Sequence, residues 1–250
     1  MRTLFFILTS IVLFQPVFSQ DLKSMIHEAE RLESLPNEKA AFEYFKVVNK
    51  KFPGNVHVLT KCSELCSRIG NRESDTKSRD AYYEAGIIYA KQALKIDPNS
   101  DEAHVSYAIA LGRTSLLKGG KAKIADAKEI KNHADIALRI NPSNFKAWHI
   151  IGKWNFEVSN LNMLEKTATK VFYGGLPGAT LKNAIIAYEK ARALKTGFLL
   201  NHLELAKAYK RNDDDKKAIA SLRQIIALPA QTEDDPRIKR EANQLLKKWN

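Results

Sequence analysis

A helix-stop string recurs in this chain at a nearly fixed interval, and that recurrence limits the fold more than any other feature. Ala93-Leu94-Lys95-Ile96-Asp97-Pro98 returns as Ala137-Leu138-Arg139-Ile140-Asn141-Pro142, an interval of 44 residues. A looser version, Asn49-Lys50-Lys51-Phe52-Pro53-Gly54, precedes the first by 45 residues, and Ile226-Ala227-Leu228-Pro229 closes a further unit near the C-terminus. Proline lacks a backbone N–H and fixes φ, so each of these strings ends a helix and turns the chain. A sequence that repeats in this way is expected to stack as one continuous elongated array.

Between the stops the apolar residues recur three and four apart, as in Tyr107, Leu111 and Ser115 with Leu116, or Leu199, Leu203, Ala206 and Tyr209. That period is the amphipathic helix. No stretch alternates apolar and polar residues over a strand's length, and only 11 Gly and 8 Pro interrupt the chain. The fold class is therefore all-α. Helices are expected over 22–34, 37–51, 55–69, 76–96, 100–117, 121–140, 144–157, 160–173, 178–195, 198–211, 215–227 and 234–248.

The stretch from Leu199 to Thr232 fits a 34-residue register. With Leu199 first, Leu205 and Ala206 are seventh and eighth, Tyr209 eleventh, Ala218 twentieth and Leu222 twenty-fourth. Small residues at positions eight and twenty let two helices approach while the large ones fill the space beside them. A second unit carries Trp148, Ile151 and Gly152 at its fourth, seventh and eighth positions. These positions resemble the tetratricopeptide family, which implies helical hairpins stacked as a right-handed solenoid. The longer interval near 44 requires longer helices or an insertion. Three further strings narrow the resemblance: Lys121 to Lys128 with the stop at Ala137 to Pro142, the Trp148 to Trp154 helix with Ala168 to Tyr173, and Leu228-Pro229-Ala230-Gln231-Thr232-Glu233-Asp234-Asp235. Together they resemble the regulator of microtubule dynamics family over residues 80–249. The resemblance implies a helical repeat protein with a noncatalytic binding surface. Animal members associate with microtubules and with membranes, but fold alone does not carry a function over.

The N-terminus bears on where the chain works. Met1-Arg2 precedes an apolar run from Leu4 to Phe14, then Pro16 and Val17-Phe18-Ser19. This is the layout of a bacterial-type secretory signal peptide with cleavage between Ser19 and Gln20, and the run is shorter than the ~20 residues that span a bilayer. The expected organisation is a signal peptide at 1–19, N-terminal helical hairpins at 20–79 that could cap the array, and the repeat region at 80–250. The expected destination is the periplasm or the exterior, with no transmembrane segment after cleavage. Cys62 and Cys66 are the only cysteines, four apart on one helical face. They are expected as small packed side chains, with a disulfide, redox or metal role as the alternative.

No motif for chemistry emerges. The six histidines are His27, His57, His104, His133, His149 and His202, and none forms the spaced pair of a zinc protease. His104 and His202 share the fourth repeat position with Trp148, which points to packing. Gly119-Gly120-Lys121 lacks the remaining residues of a phosphate loop and reads as a turn, as does Gly174-Gly175-Leu176-Pro177-Gly178. Asp213, Asp214 and Asp215 read as a solvated turn and helix start. No catalytic residue, metal ligand or cofactor is expected, although an enzyme without a recognisable motif remains an alternative.

The ligand positions of tetratricopeptide units are usually two, five, nine, twelve and thirteen of the first helix, on the concave side. They fall on Lys146, His149, Lys153, Phe156 and Glu157 in one unit and on Leu200, Leu203, Lys207, Lys210 and Arg211 in the later one, with Arg113 the matching basic residue before them. The groove is thus expected to be basic with apolar interruptions. The chain as a whole carries 40 Lys plus Arg against 28 Asp plus Glu, a formal charge of +12, which draws anionic partners. An acidic peptide or protein is the expected partner, and an anionic lipid in an envelope membrane-contact module is the alternative. A third reading leaves these lysines as mere solubilising charge. Nucleic acid is not expected, because the basic residues are spread over many helices.

Overall fold

The computed structural model describes residues 15–35, 37–118, 120–176 and 178–249, so residues 1–14 of the expected signal peptide lie outside them. Among the described residues every regular element is a helix: α1 Gln15–Ser34, α2 Glu38–Lys51, α3 Val56–Arg72, α4 Thr76–Ile96, α5 Asp101–Ser115, α6 Gly120–Ile140, α7 Phe145–Ser159, α8 Met163–Tyr173, α9 Leu181–Leu194, α10 Leu199–Arg211, α11 Asp215–Ala227 and α12 Asp235–Trp249. None of these is long and apolar enough to cross a membrane. Hairpins form from α1 with α2, α3 with α4, α5 with α6, α7 with α9, and α10 with α11, and α12 packs against the last pair. Helix α8 is an insertion between the two arms of a hairpin and touches α6. The expected boundary between residues 79 and 80 falls inside α4.

Helix α1 is already formed at Gln15, the first described residue, so it extends N-terminal of the expected start near 22.

The repeated strings act as a repeated turn. Asp97 and Asn141 each accept a backbone N–H two residues on through their side chains, at 2.9 and 3.0 Å. Ser100 and Asn144 then cap the next helix by accepting the N–H of Ala103 and Ala147, satisfying a donor that the helix start leaves free. The fourth-position ring closes the turn from the other side. His104 Nε2 donates to the Pro98 carbonyl at 2.9 Å, Trp148 Nε1 to that of Pro142 at 2.8 Å, and His202 Nε2 to that of Thr196 at 2.8 Å. One ring N–H in each of these three units, always to the carbonyl six residues back, is the packing role that the shared position predicts. Asp214 caps α11 by accepting the Lys217 N–H at 3.1 Å, as expected of that acidic turn, and Gly174 ends α8 at φ 68°, a left-handed cap that favours glycine.

The first hairpins hold the largest continuous core, with Phe45, Val48, Val58, Leu65 and Ile69 buried beside both cysteines. Cys62 and Cys66 are free and buried, and burial pushes each thiol up to about 12. We expect neither to react with a thiol reagent in the native chain and both to react after denaturation, counted by mass. Modification of the folded protein at a rate comparable to a model thiol would contradict this packing.

Candidate ligand groove

The first arms of successive hairpins lie side by side, α3 next to α5, α5 next to α7 and α7 next to α10, with α12 beside α10. These arms carry the expected ligand residues, so the structure brings most of them into one row. The row is a ladder of opposite charges rather than a line of free cations. Lys146 reaches back to Glu64 of α3 and to Glu102 of α5 at 3.0 Å. Lys153 bonds Glu204 of α10 at 2.8 Å and Glu157 of its own helix at 2.8 Å. Lys207 joins Glu204 at 3.2 Å and Glu241 of α12 at 2.8 Å. Lys210 pairs with Asp215 at 2.8 Å and lies over the Trp249 ring at 5.7 Å. The expectation of a basic groove thus meets carboxylates supplied by neighbouring repeats.

Burial alone would push the Glu64 carboxyl up, but Lys146, Lys61 and Arg68 outweigh it and hold it down at about 2. Burial likewise opposes ionisation of Glu204, and Lys153 and Lys207 overcome it to lower that group too. A carboxylate lowered on folding stabilises the fold above its ordinary value and loses that contribution as pH falls towards the folded one. Stability should therefore decline between a pH of about 4.5, the ordinary glutamate value, and about 2. Denaturant titrations across that range should show a shallower decline in Glu64→Gln; an unchanged slope would mean that the pair is not formed.

Two arginines differ from the lysines. Arg211 donates to the Phe156 carbonyl at 2.8 Å and to Ser159 Oγ at 3.1 Å, and its guanidinium lies over the Phe156 ring at 5.0 Å. Arg113 donates to Asn71 Oδ1 at 3.0 Å. Burial draws its guanidinium below the usual arginine range, while Tyr83 and Asp234 act against that and Arg237 adds to it. The hydrogen-bond partners of both arginines are neutral groups, and the one carboxylate acting on Arg113 is Asp234 of the loop before α12.

His149 is turned to packing. Its Nδ1 meets Asn201 Oδ1 at 3.0 Å, and its ring lies 5.5 Å from Tyr188 and 4.9 Å from Phe198. Burial lowers its proton affinity, so it is a neutral spacer between α7 and α10. Phe156 lies partly buried against the core between α9, α10 and α11, and Leu203 is buried in the core with Leu222 and Ile225.

Sequence mapping missed the acidic half of this face. Applying the same positions to the helix that starts at Val56 selects Glu64 and Arg68, and on the helix at Asp101 it selects Glu102 with Arg113. That signal was available. Glu204 at position six, Glu241 on the last helix, and Glu233 with Asp234 in a loop follow no such rule.

The geometry agrees with what the chain is similar to. A thermophilic tetratricopeptide-repeat protein of Thermus thermophilus superposes with a TM-score of 0.66, covering 90% of this chain and 99% of that one at 13% identity, which shows the fold. Regulator of microtubule dynamics protein 1 of Bos taurus is 34% identical over 175 residues, 70% of this chain and 55% of that protein. Its counterpart in Caenorhabditis elegans is 27% identical over 191 residues, 76% of this chain and 84% of that one. The chain spans little more than half the length of the mammalian relatives it matches. The sequence model of the family described as regulator of microtubule dynamics protein 1-3 matches residues 25–250, which carries the resemblance back through the first hairpins. The chain belongs to the regulator of microtubule dynamics protein 1-3 family.

Proposed function

We propose that this chain is a noncatalytic, exported scaffold that takes an acidic segment of a partner protein along its inner face. The observation that carries the reading is the pair of inner cations, Arg113 and Arg211, whose hydrogen-bond partners are a side-chain amide, a backbone carbonyl and a hydroxyl. Within the ladder the lysine charge is spent on Glu64, Glu102, Glu204 and Glu241. An incoming carboxylate therefore gains most at the two arginines, with Phe156 offering apolar contact beside one of them.

The test is fluorescence anisotropy of labelled acidic and neutral peptides of equal length on the full chain. Acidic peptide should bind more tightly, should weaken with salt, and should lose most of its affinity in Arg211→Gln with Arg113→Gln. Equal binding of both peptides, or an unchanged affinity in the double variant, would overturn the reading. Reversing Lys146 to glutamate is a poor probe, because it sets a third carboxylate against Glu64 and Glu102 and so reports folding.

Export is part of the proposal, supported by the apolar run from Leu4 to Phe14. Cleavage after Ser19 would shorten α1 and leave Leu22, Met25, Ile26, Ala29 and Leu32 in contact with the first core. The intact mass of protein taken from its native source should correspond to a chain starting at Gln20, and a mass retaining Met1 would contradict export by this route.

A further inference from the structure

The loop that precedes α12 crosses the array and binds α2 and the end of α3. Arg72, at the end of α3, holds Glu38 of α2 at 2.7 Å, Glu233 at 3.1 Å and Asp234 at 3.3 Å. Glu38 and Glu233 also exchange bonds: the Glu38 N–H donates to the Glu233 carboxylate, and the Glu233 N–H donates to Glu38 Oε1 at 3.4 Å. These partners are 195 residues apart in sequence.

The loop is shaped for this contact. Asp235, 5% exposed, accepts the N–H groups of Gln231 at 2.7 Å and Thr232 at 2.9 Å. That turn directs the next two residues, both acidic, at α2 and the end of α3. The Gln231 side chain packs on Gly197, where an added Cβ would come within 2.9 Å of its Nε2.

The receiving surface shares its carboxylates between several cations. Lys61 and Arg68 share Glu33 at 2.9 and 2.7 Å, and Arg68 and Arg72 share Glu38. Arg113 joins through Asn71, the neighbour of Arg72. With the loop lifted away, Arg72 would have only Glu38, which Arg68 also reaches, and Arg113 would lose the nearby charge of Asp234. With the loop in place, the Nε–H of Arg68 is still buried without a hydrogen-bond partner, and Asp234 Oδ1, which also lacks one, has only the Arg237 guanidinium at 3.7 Å. The fit is therefore incomplete on both sides, which suits a contact made to be exchanged.

We propose that residues 229–234 are a built-in acidic ligand, seated on Arg72 at the N-terminal end of the groove, and that a partner peptide with adjacent carboxylates binds there by displacing them. The inference rests on the acidic-partner reading and adds both the site and its regulation. The loop competes with the partner, so the partner's apparent affinity is reduced by the fraction of chains in which the loop is docked.

The probe is a labelled synthetic peptide with the sequence of residues 228–236, titrated into the full chain. In the Glu233→Gln, Asp234→Asn chain the internal ligand loses both charges and the peptide should bind about tenfold more tightly than to wild type. Asp234→Asn alone, which leaves Glu233 on Arg72, should fall between the two. Adding Arg72→Gln to the double variant should remove the gain. A melting curve of each variant separates lost binding from lost folding, and the single variant keeps the test open if the double one is unstable. Equal affinity in wild type and both loop variants would overturn this inference while leaving the groove reading intact, provided that Arg211→Gln still weakens binding. No binding to any of the chains would overturn both.

Discussion

Glu38→Ala should lower the stability of the first hairpins by about 3–5 kcal/mol, the range for removing one partner from a buried ion pair. The Glu38 residue is only 1% exposed and is the carboxylate that Arg68 reaches at 3.2 Å and Arg72 at 2.7 Å. Alanine would take away the carboxylate that the two guanidiniums share, leaving Arg68 with Glu33 and Arg72 with the loop carboxylates. It would also release the backbone of Glu233, which donates to the same carboxylate. Helix packing in a repeat array is between neighbouring hairpins, so apart from the docked loop the loss should be concentrated at the end where it is made. Hydrogen exchange should accelerate most in α1, α2 and residues 229–234, with α7 and α9 nearly unchanged. Glu38→Gln keeps the shape and two acceptor lone pairs, and should lose less than alanine does. Uniform acceleration along the chain would show that the array unfolds as one unit; no acceleration would show that Glu38 holds nothing.

Gly152→Ala should be the most damaging of the glycine-to-alanine changes inside the described helices. The Gly152 position on α7 faces the ring of Tyr188 on α9, and an added Cβ would come within 2.6, 2.7 and 2.9 Å of three ring carbons. Tyr188 is fully buried, among Ala184, Leu205, Ala208, Tyr209 and Ala218, so the ring has nowhere to retreat and the two helices must separate. Overpacking of this kind costs about 1–3 kcal/mol, and the gain from replacing glycine by alanine inside a helix, about 1 kcal/mol, offsets only part of it. Gly112→Ala is the matched control. There the nearest atom would be Ile130 Cδ1 at 3.8 Å, ordinary contact, so the propensity term should win and the variant should be slightly more stable. Chemical denaturation of both variants checks the pair, and equal effects would mean that close approach at Gly152 is not what the sequence selects there. Tyr188→Phe adds a further point: the Tyr188 hydroxyl is buried without a partner, so its removal should be neutral or stabilising.

The features legible in the sequence were those governed by local spacing. The stops at Pro98 and Pro142, the small residue at Gly152 and the shared fourth position of His104, Trp148 and His202 all depend on contacts within one hairpin or turn, and each appears in the fold where its position requires. What the spacing left hidden is electrostatic and distant. Lys146 and Glu64 are 82 residues apart, and Lys153 and Glu204 are 51 apart. Their pairing depends on how far each hairpin rotates against the next. The meeting of Glu38 with Glu233 accumulates that rotation over the whole array, a quantity that no single unit encodes. That α1 extends N-terminal of residue 22 was missed for a simpler reason: Pro16 reads as a stop.

A double-mutant cycle on Lys146 and Glu64 tests most directly whether the inner face is a ladder paired across repeats. Lys146→Ala, Glu64→Ala and the double variant would be unfolded in denaturant beside wild type at neutral pH. A buried pair bridging α7 and α3 predicts a coupling of about 1–3 kcal/mol, with each single variant less stable than additivity with the double would allow. Additive losses, within about 0.5 kcal/mol, would mean that Lys146 and Glu64 are not paired and would contradict the bridge between α7 and α3.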